Sequence, residues 1–373
     1  MNSRERMLTA LNGGKPDRLP ATIHGWMGYW LDKYLNGADQ FEAYKHFDMD
    51  AQIFYFDYHE KPVVTGMYFT HDLIPGENWK VDCEVVKDDE VSTRYEFSIK
   101  TPEGKLTKSL EQDDKMTWIT EYPIKKKEQI YWIEKYMPIP RVNKEAINEV
   151  FEKMGDMGIL RANIYGHQGG CWSDACNFYG TQDLIMETHD DPEWVHEFLE
   201  ILLERKMKFI EDLEGTRIDL LENGGGQSSM SVISPDIFRE FCIPYDQQLS
   251  EALEEIDVMT AYHTCGKMMA QLELIKETNA TASETLSPED MGGDAELEEI
   301  NRVLGGDMAL IGGFNQKKGF QEGDESTVRN IVKKCFKEAG SGGGYIMAAS
   351  DHFFEGKPEN IKAYTDIARE FTY

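Results

Sequence analysis

The chain has 373 residues, enough for one large α/β domain or two ordinary ones, and its 40% hydrophobic and 11% aromatic content suits a folded protein with a sizeable core. Its 39 Lys and Arg against 68 Asp and Glu give a net charge of −29, which repels nucleic acid phosphates and anionic lipid surfaces; neither nucleic acid nor membrane is expected as a partner. With no apolar run of about 18 residues and a polar amphipathic start, MNSRERMLTALNGG, the expected location is cytoplasmic.

Two strand-like runs, Leu19–Ile23 and Asp50–Phe56, follow the opening helix. Residues 77–123 then alternate polar with apolar positions around the turn tetrapeptide Thr101-Pro102-Glu103-Gly104, which predicts an antiparallel β insertion. From residue 159 onward, short apolar runs give way repeatedly to helical stretches: Ile159–Tyr165, Arg217–Glu222, Val258–His263, Ala280–Thr285, Met308–Gly312 and Tyr345–Ala348. The intervening helices are expected near 180–214, 235–256, 267–278, 295–304, 325–339 and 358–371. Eight βα units predict a closed (β/α)8 TIM barrel, with an open doubly wound sheet as the alternative. No repeat or long linker appears, so residues 1–373 read as a single domain carrying the 77–123 insertion.

In a barrel of this kind the chemistry lies on the loops after the strands. His263 and Cys265 end one predicted strand as Tyr262-His263-Thr264-Cys265-Gly266; residues two apart in extended chain project together, and an imidazole with a thiol is a zinc-type donor pair. The bland alternative is a core histidine beside a free thiol. Glu222, in DLLENGGGQ, ends the preceding strand and could complete a shell, and Asp351 and His352 follow the last strand. Cys171 and Cys176 are spaced C-x4-C without a second pair, which argues against a separate structural zinc. His24, Trp26, Tyr165, His167, Glu284, Asn315 and Gln316 also follow strand ends and suit a pocket for an organic substrate. No GxxxxGK[ST], GxGxxG, GxSxG or DxHxxG motif occurs in the relevant context, which leaves little support for a P-loop, dinucleotide, hydrolase or resident corrinoid site.

Several segments together resemble the uroporphyrinogen decarboxylase-like superfamily, specifically its cobamide-dependent methyltransferase branch. They are Ser3-Arg4-Glu5-Arg6 through Pro16-Asp17-Arg18-Leu19-Pro20, His263-Thr264-Cys265-Gly266, Ile311-Gly312-Gly313-Phe314-Asn315 and Lys357-Pro358-Glu359-Asn360. The resemblance implies a (β/α)8 barrel that binds zinc through a His-x-Cys motif and passes a methyl group to the corrinoid (cobalamin) of a separate protein. Two departures refine it. Ile23 to Tyr29 lacks the arginine-rich stretch of the true decarboxylases, so a polyanionic porphyrinogen is disfavoured. Ser350 stands where thiol-methylating relatives carry a second cysteine, which disfavours coenzyme M and points to an oxygen leaving group.

The implied ligand set is Glu222, His263 and Cys265 with Asp351 as the fourth ligand, and Glu222, His263 and Cys265 form the catalytic group. His24, Trp26, Tyr165, His167 and Asn223 are the implied substrate-binding residues. The expected reaction demethylates a small methoxylated compound, aromatic ones included, or a methylated one. The alternatives are a decarboxylase-like lyase on a non-porphyrin substrate, or a non-catalytic accessory barrel.

Overall fold

A computed structural model describes residues 1–373. Strands β1 (Ala21–Thr22) and β2 (Ala51–Phe54) come first. They are followed by an antiparallel meander of β3 (Lys80–Asp88), β4 (Thr93–Thr101), β5 (Gly104–Gln112) and β6 (Thr117–Glu121). The βα alternation then supplies β7 (Gly158–Asn163), β8 (Leu220–Gly224), β9 (Met259–His263), β10 (Ala282–Thr285), β11 (Ala309–Phe314) and β12 (Tyr345–Ala349). Eight strands form one parallel sheet in the order β1-β12-β11-β10-β9-β8-β7-β2. Asp50 N–H donating to the Ala21 carbonyl (3.1 Å), and the Gln52 amide donating to the carbonyls of Ile23 and His24, tie its two edges together. The result is a nearly closed TIM-like barrel, with the four-stranded insertion at the predicted place.

Period-two geometry sorts the barrel interior into layers. Ile159, Leu220, Ala261, Ala282, Ala309 and Ile346 form an apolar layer, closed from below by Met7, Ala10 and Leu11 of the N-terminal helix Ser3–Leu11. Two residues further along the same inward face, four of these strands carry Arg161, Glu222, His263 and Glu284 instead. A charged layer therefore sits directly above an apolar one. The outward-facing positions, among them Leu160, Leu221 and Tyr262, pack in the larger core against the helices.

Two long predicted helices are each broken. Residues 180–214 divide into Thr181–Asp190 and Pro192–Glu211, and 235–256 into Pro235–Phe241 and Ile243–Glu254. Pro192 and Pro244 have no N–H to give to a preceding turn, so each opens a new helix. The first strand shrinks to two residues because Pro20 and the turn toward His24 bound it. In the insertion, Phe97, Ile99, Leu106 and Leu110 form a buried face, and the buried Lys108 reaches from it to the Phe69 carbonyl (2.7 Å) and Asp72 (2.6 Å). The insertion thereby holds the loop that carries Tyr68 to the barrel mouth. No helix is long and apolar enough to cross a membrane.

Candidate functional site

The charged layer is a buried network. Arg161, with no exposed surface, donates from Nη1 to Glu284 Oε2 (2.9 Å) and from Nη2 to both Glu284 Oε1 (2.8 Å) and Glu222 Oε2 (2.7 Å). His263 Nδ1 lies 3.0 Å from Glu284 Oε1 and 3.3 Å from Glu222 Oε1, while its Nε2 faces the Gln168 amide nitrogen at 3.3 Å. His24 Nδ1 stands 4.0 Å from Glu284 Oε2. Two carboxylates thus share two cationic partners, all four side chains being buried.

The environment drives these groups apart in acidity. Burial raises the Glu222 carboxyl, whereas for Glu284 the Arg161 charge and the His263 hydrogen bond overcome burial and hold it well below its ordinary range. Burial works against a charged His263, but Glu222, Cys265 and Glu284 prevail and keep it protonated when no metal competes. Burial dominates at His24, held well below its usual value, and at His167, lowered to about 3; both stay neutral. Burial also lowers His352.

Above the network opens a cavity of about 500 Å³. Trp26, Phe41, Phe54 and Tyr68 form its apolar wall, and His24, Asn163, His167, Gln168, Glu222 and His263 supply polar groups. Gln168, in the left-handed conformation (φ 57°), accepts from the Gly226 N–H (3.0 Å) while its amide nitrogen meets His263. A Cβ at Gly226 would lie 2.8 Å from Cys265 Sγ, so a side chain there would displace the thiol. Stacking of Trp26 on Phe47, with ring centroids 5.5 Å apart, fixes the indole at the rim.

The residues expected from sequence do not all converge. His24, Trp26, His167, Glu222, His263 and Asp351 line the cavity. Asn223, one position from Glu222, points outward and donates to the Asp246 carbonyl (2.9 Å) and toward Ser250. Tyr165 turns into the helix layer, where its hydroxyl donates to the His71 carbonyl (2.9 Å). Cys171 and Cys176 are buried in the helix Cys171–Tyr179. Ser350 is buried, with its hydroxyl donating to the Phe314 carbonyl (3.1 Å). Asn315 donates to Asp290 (2.7 Å) rather than entering the cavity, and Gln316 braces the loop after β12 through the Asp351 carbonyl (2.9 Å).

Donor atoms within 4.8 Å of one another belong to His24, Glu222, His263 and Glu284, and separately to His24, Asp351 and His352. The implied zinc set is thus divided: Glu222 and His263 sit in the first group, Asp351 in the second, and Cys265 beside His263 in neither. These donors are of the kinds zinc takes: His263 Nδ1 faces the carboxylates of Glu284 and Glu222, its Nε2 is left on the side of Gln168 and the cavity, and the Cys265 thiol lies beside the ring.

Arg161 is missing from the sequence-derived site, and Glu284 enters it only as a pocket candidate. An arginine in the apolar run Ile159-Leu160-Arg161-Ala162, at an inward position of a barrel strand, was the readable signal for the first. Glu284 stood among the pocket candidates without a role, and its partner becomes visible only across the barrel.

A family model described as uroporphyrinogen decarboxylase (URO-D) matches residues 109–371. This barrel with its charged floor is therefore that of a URO-D family member; the chain belongs to this family. A methylated-thiol–coenzyme M methyltransferase of Methanosarcina mazei is 24% identical over 196 residues, which is 51% of this chain and 48% of the relative. The chain thus spans about half the length of that curated relative. Among solved structures, a methyltransferase from Methanosarcina mazei superposes with a TM-score of 0.70 at 15% identity, covering 99% of both chains. A B12-independent methionine synthase from Shewanella sp. W3-18-1 superposes with a TM-score of 0.51 at 10% identity, covering 95% of this chain and 98% of that one. At these identities the superpositions establish the fold. The curated relative adds homology to a methyltransferase, in keeping with the branch that the motifs resemble.

Proposed function

We propose that this protein is a zinc-dependent methyltransferase that takes a methyl group from a small methoxylated or methylated compound, with the corrinoid of a separate protein as the second substrate that receives it. The observation that carries this reading is His263, buried between Glu222, Glu284 and the Cys265 thiol at the floor of an aromatic-walled cavity. Descent shared with a methyltransferase supports it.

His263 and Cys265, with Glu222, would hold the metal, and Asp351 is an alternative oxygen donor. Bound there, zinc supplies Lewis acidity that withdraws charge from the heteroatom losing its methyl group. The rest falls to the chain. Glu284, fixed by two donors of Arg161, accepts the Nδ1 proton of His263 and so turns Nε2 toward the cavity. His24 and His167, neutral through burial, offer hydrogen bonds to a substrate without adding charge. Trp26, Phe41 and Phe54 exclude water from the reacting carbon.

A second reading, a metal-free lyase, is favoured by one specific feature. The charges of Arg161 and protonated His263 balance those of Glu222 and Glu284 without any metal. Metal analysis by plasma mass spectrometry separates the two. About one zinc per chain, lost in Cys265→Ala with the fold retained, is the result expected; absence of zinc from protein purified without chelators would overturn the zinc mechanism in favour of the lyase.

A further inference from the structure

Donor atoms gather at two places in the barrel mouth. Beside the buried layer around His263, ligand atoms of His24, Asp351 and His352 lie within 4.8 Å of one another, and all three residues line the cavity. Neither Glu222 nor Cys265 belongs to this second group, and neither Asp351 nor His352 belongs to the first. Two imidazoles and one carboxylate suit a divalent first-row transition ion and leave coordination positions open, whereas a thiolate such as that of Cys265 favours zinc. At bond lengths of about 2.1 Å, donors on opposite sides of an ion stand about 4.2 Å apart, so small side-chain rotations close this group on one. His24 is buried, Asp351 half-buried and His352 exposed, which gives an ion a path in from solvent.

The loop that carries two of these donors is braced on both sides. The buried Gln316 accepts from the Ser350 N–H (3.0 Å) and donates to the Asp351 carbonyl (2.9 Å), and the Ser350 hydroxyl donates to the Phe314 carbonyl (3.1 Å). Phe353 then packs edge-on against Trp26 and Trp30, with ring centroids 6.1 and 5.8 Å apart. Between these anchors His352 meets His24 edge to face, centroids 4.8 Å apart. Gly25 makes room for that ring, since a Cβ there would lie 3.3 Å from His352 Cε1. Nor do the donors have partners that an ion must displace. Asp351 makes no ion pair, and its carboxylate takes only the His352 N–H (2.7 Å). His24 makes no side-chain hydrogen bond; its Nδ1 stands 4.0 Å from Glu284, which leaves Nε2 without a carboxylate. Donors held in place by their surroundings and not yet committed are what a metal site requires.

The geometry points to a second metal centre, in which His24, Asp351 and His352 hold a divalent first-row transition ion at the barrel mouth, apart from the zinc expected at His263 and Cys265. This gives Asp351 to the second ion rather than to the zinc, and it does not rest on the methyl-transfer reading. Three protein donors leave positions on the ion for an oxygen atom of water or of a molecule in the cavity.

Metal loading tests it. Chelator-treated protein is given one equivalent of Zn²⁺ and then Co²⁺, with metal per chain read by plasma mass spectrometry after dialysis and the ligand set read by visible absorption. About one cobalt in addition to one zinc, with ligand-field bands and no thiolate-to-cobalt charge-transfer band, is expected. Asp351→Asn and His352→Ala should each weaken Co²⁺ binding at least about tenfold while keeping the zinc. They change different side chains, so either reads the site if the other does not fold. Cys265→Ala, given Co²⁺ alone, should bind about one ion with no thiolate band. A single metal in total, cobalt carrying the thiolate band in the zinc-loaded protein, uptake unchanged in both loop variants, or zinc lost together with cobalt in them overturns the inference. Protein that takes Co²⁺ at this site but binds no zinc at Cys265 removes the zinc mechanism and leaves the second centre, whereas zinc bound through Cys265 with no cobalt beyond it does the reverse.

Discussion

Replacing Arg161 by methionine would leave Glu222 and Glu284 facing each other in a buried layer with His263 as their remaining cationic partner. The arginine makes three contacts of 2.7–2.9 Å to them. Breaking a buried pair on one side costs about 3–5 kcal/mol, mostly the uncompensated charge. With an unfolding entropy of about 2.1 cal/mol/K per residue, ~0.8 kcal/mol/K for 373 residues, the melting midpoint should fall by about 4–6 °C. Calorimetric melting at neutral pH reads this directly. The double variant Arg161→Met/Glu284→Gln removes one charge of each sign and should recover most of the loss; Arg161→Lys keeps the charge but not the two-pronged geometry and should fall between. A single variant melting within about 1 °C of the parent, or a double variant no better than the single, would refute the paired network.

Asp246 offers a pH test. Burial lifts its carboxyl from 3.8 to about 7, although Tyr262 donates to it at 2.8 Å, and its other oxygen is unpartnered. The folded state therefore holds a proton that the unfolded state releases above about pH 4, so this group's contribution to stability falls as pH rises from about 4 to 7, by about 4 kcal/mol in all. Asp246→Asn should raise the melting midpoint by several degrees at pH 8 and hardly at all at pH 4; an equal effect at both pH values would contradict the assignment. Lys108→Met strands the buried Asp72 and frees the Phe69 carbonyl, so it should destabilise the insertion by about 3–5 kcal/mol and speed proteolysis within residues 66–73. Unchanged cleavage there would show that Lys108 does not anchor that loop.

The barrel was legible because its signals are local. Runs such as Ile159–Tyr165 and Tyr345-Ile346-Met347-Ala348-Ala349 are strand-length and bounded by helices, and the alternation of residues 80–121 survives as a meander with Thr101 facing Gly104 across its turn. The site was legible in part. His263 and Glu222 announce themselves as polar residues ending apolar strands, and both face inward. Asn223 is Glu222's neighbour in sequence but on the opposite face, and a one-residue uncertainty in where a strand begins is enough to reverse a side chain, whereas Tyr165 lies beyond the end of β7, where the chain has left the strand and alternation no longer sets its direction. The pairing of Arg161 with Glu284 spans 123 residues and depends on how tilted strands stagger around the barrel, which no local pattern encodes.

The most direct measurement is anoxic transfer of a methyl group from 2-methoxyphenol to free cob(I)alamin, followed by the loss of cob(I)alamin absorbance, with the zinc-loaded protein and with Cys265→Ala. The account predicts donor-dependent methylation by the parent protein and a loss of at least about a hundredfold in the variant, as expected when a metal's stabilisation of the departing oxygen is removed. No methylation by the zinc-loaded protein from any methoxylated or methylated donor, or equal rates with and without the Cys265 thiol, would contradict it.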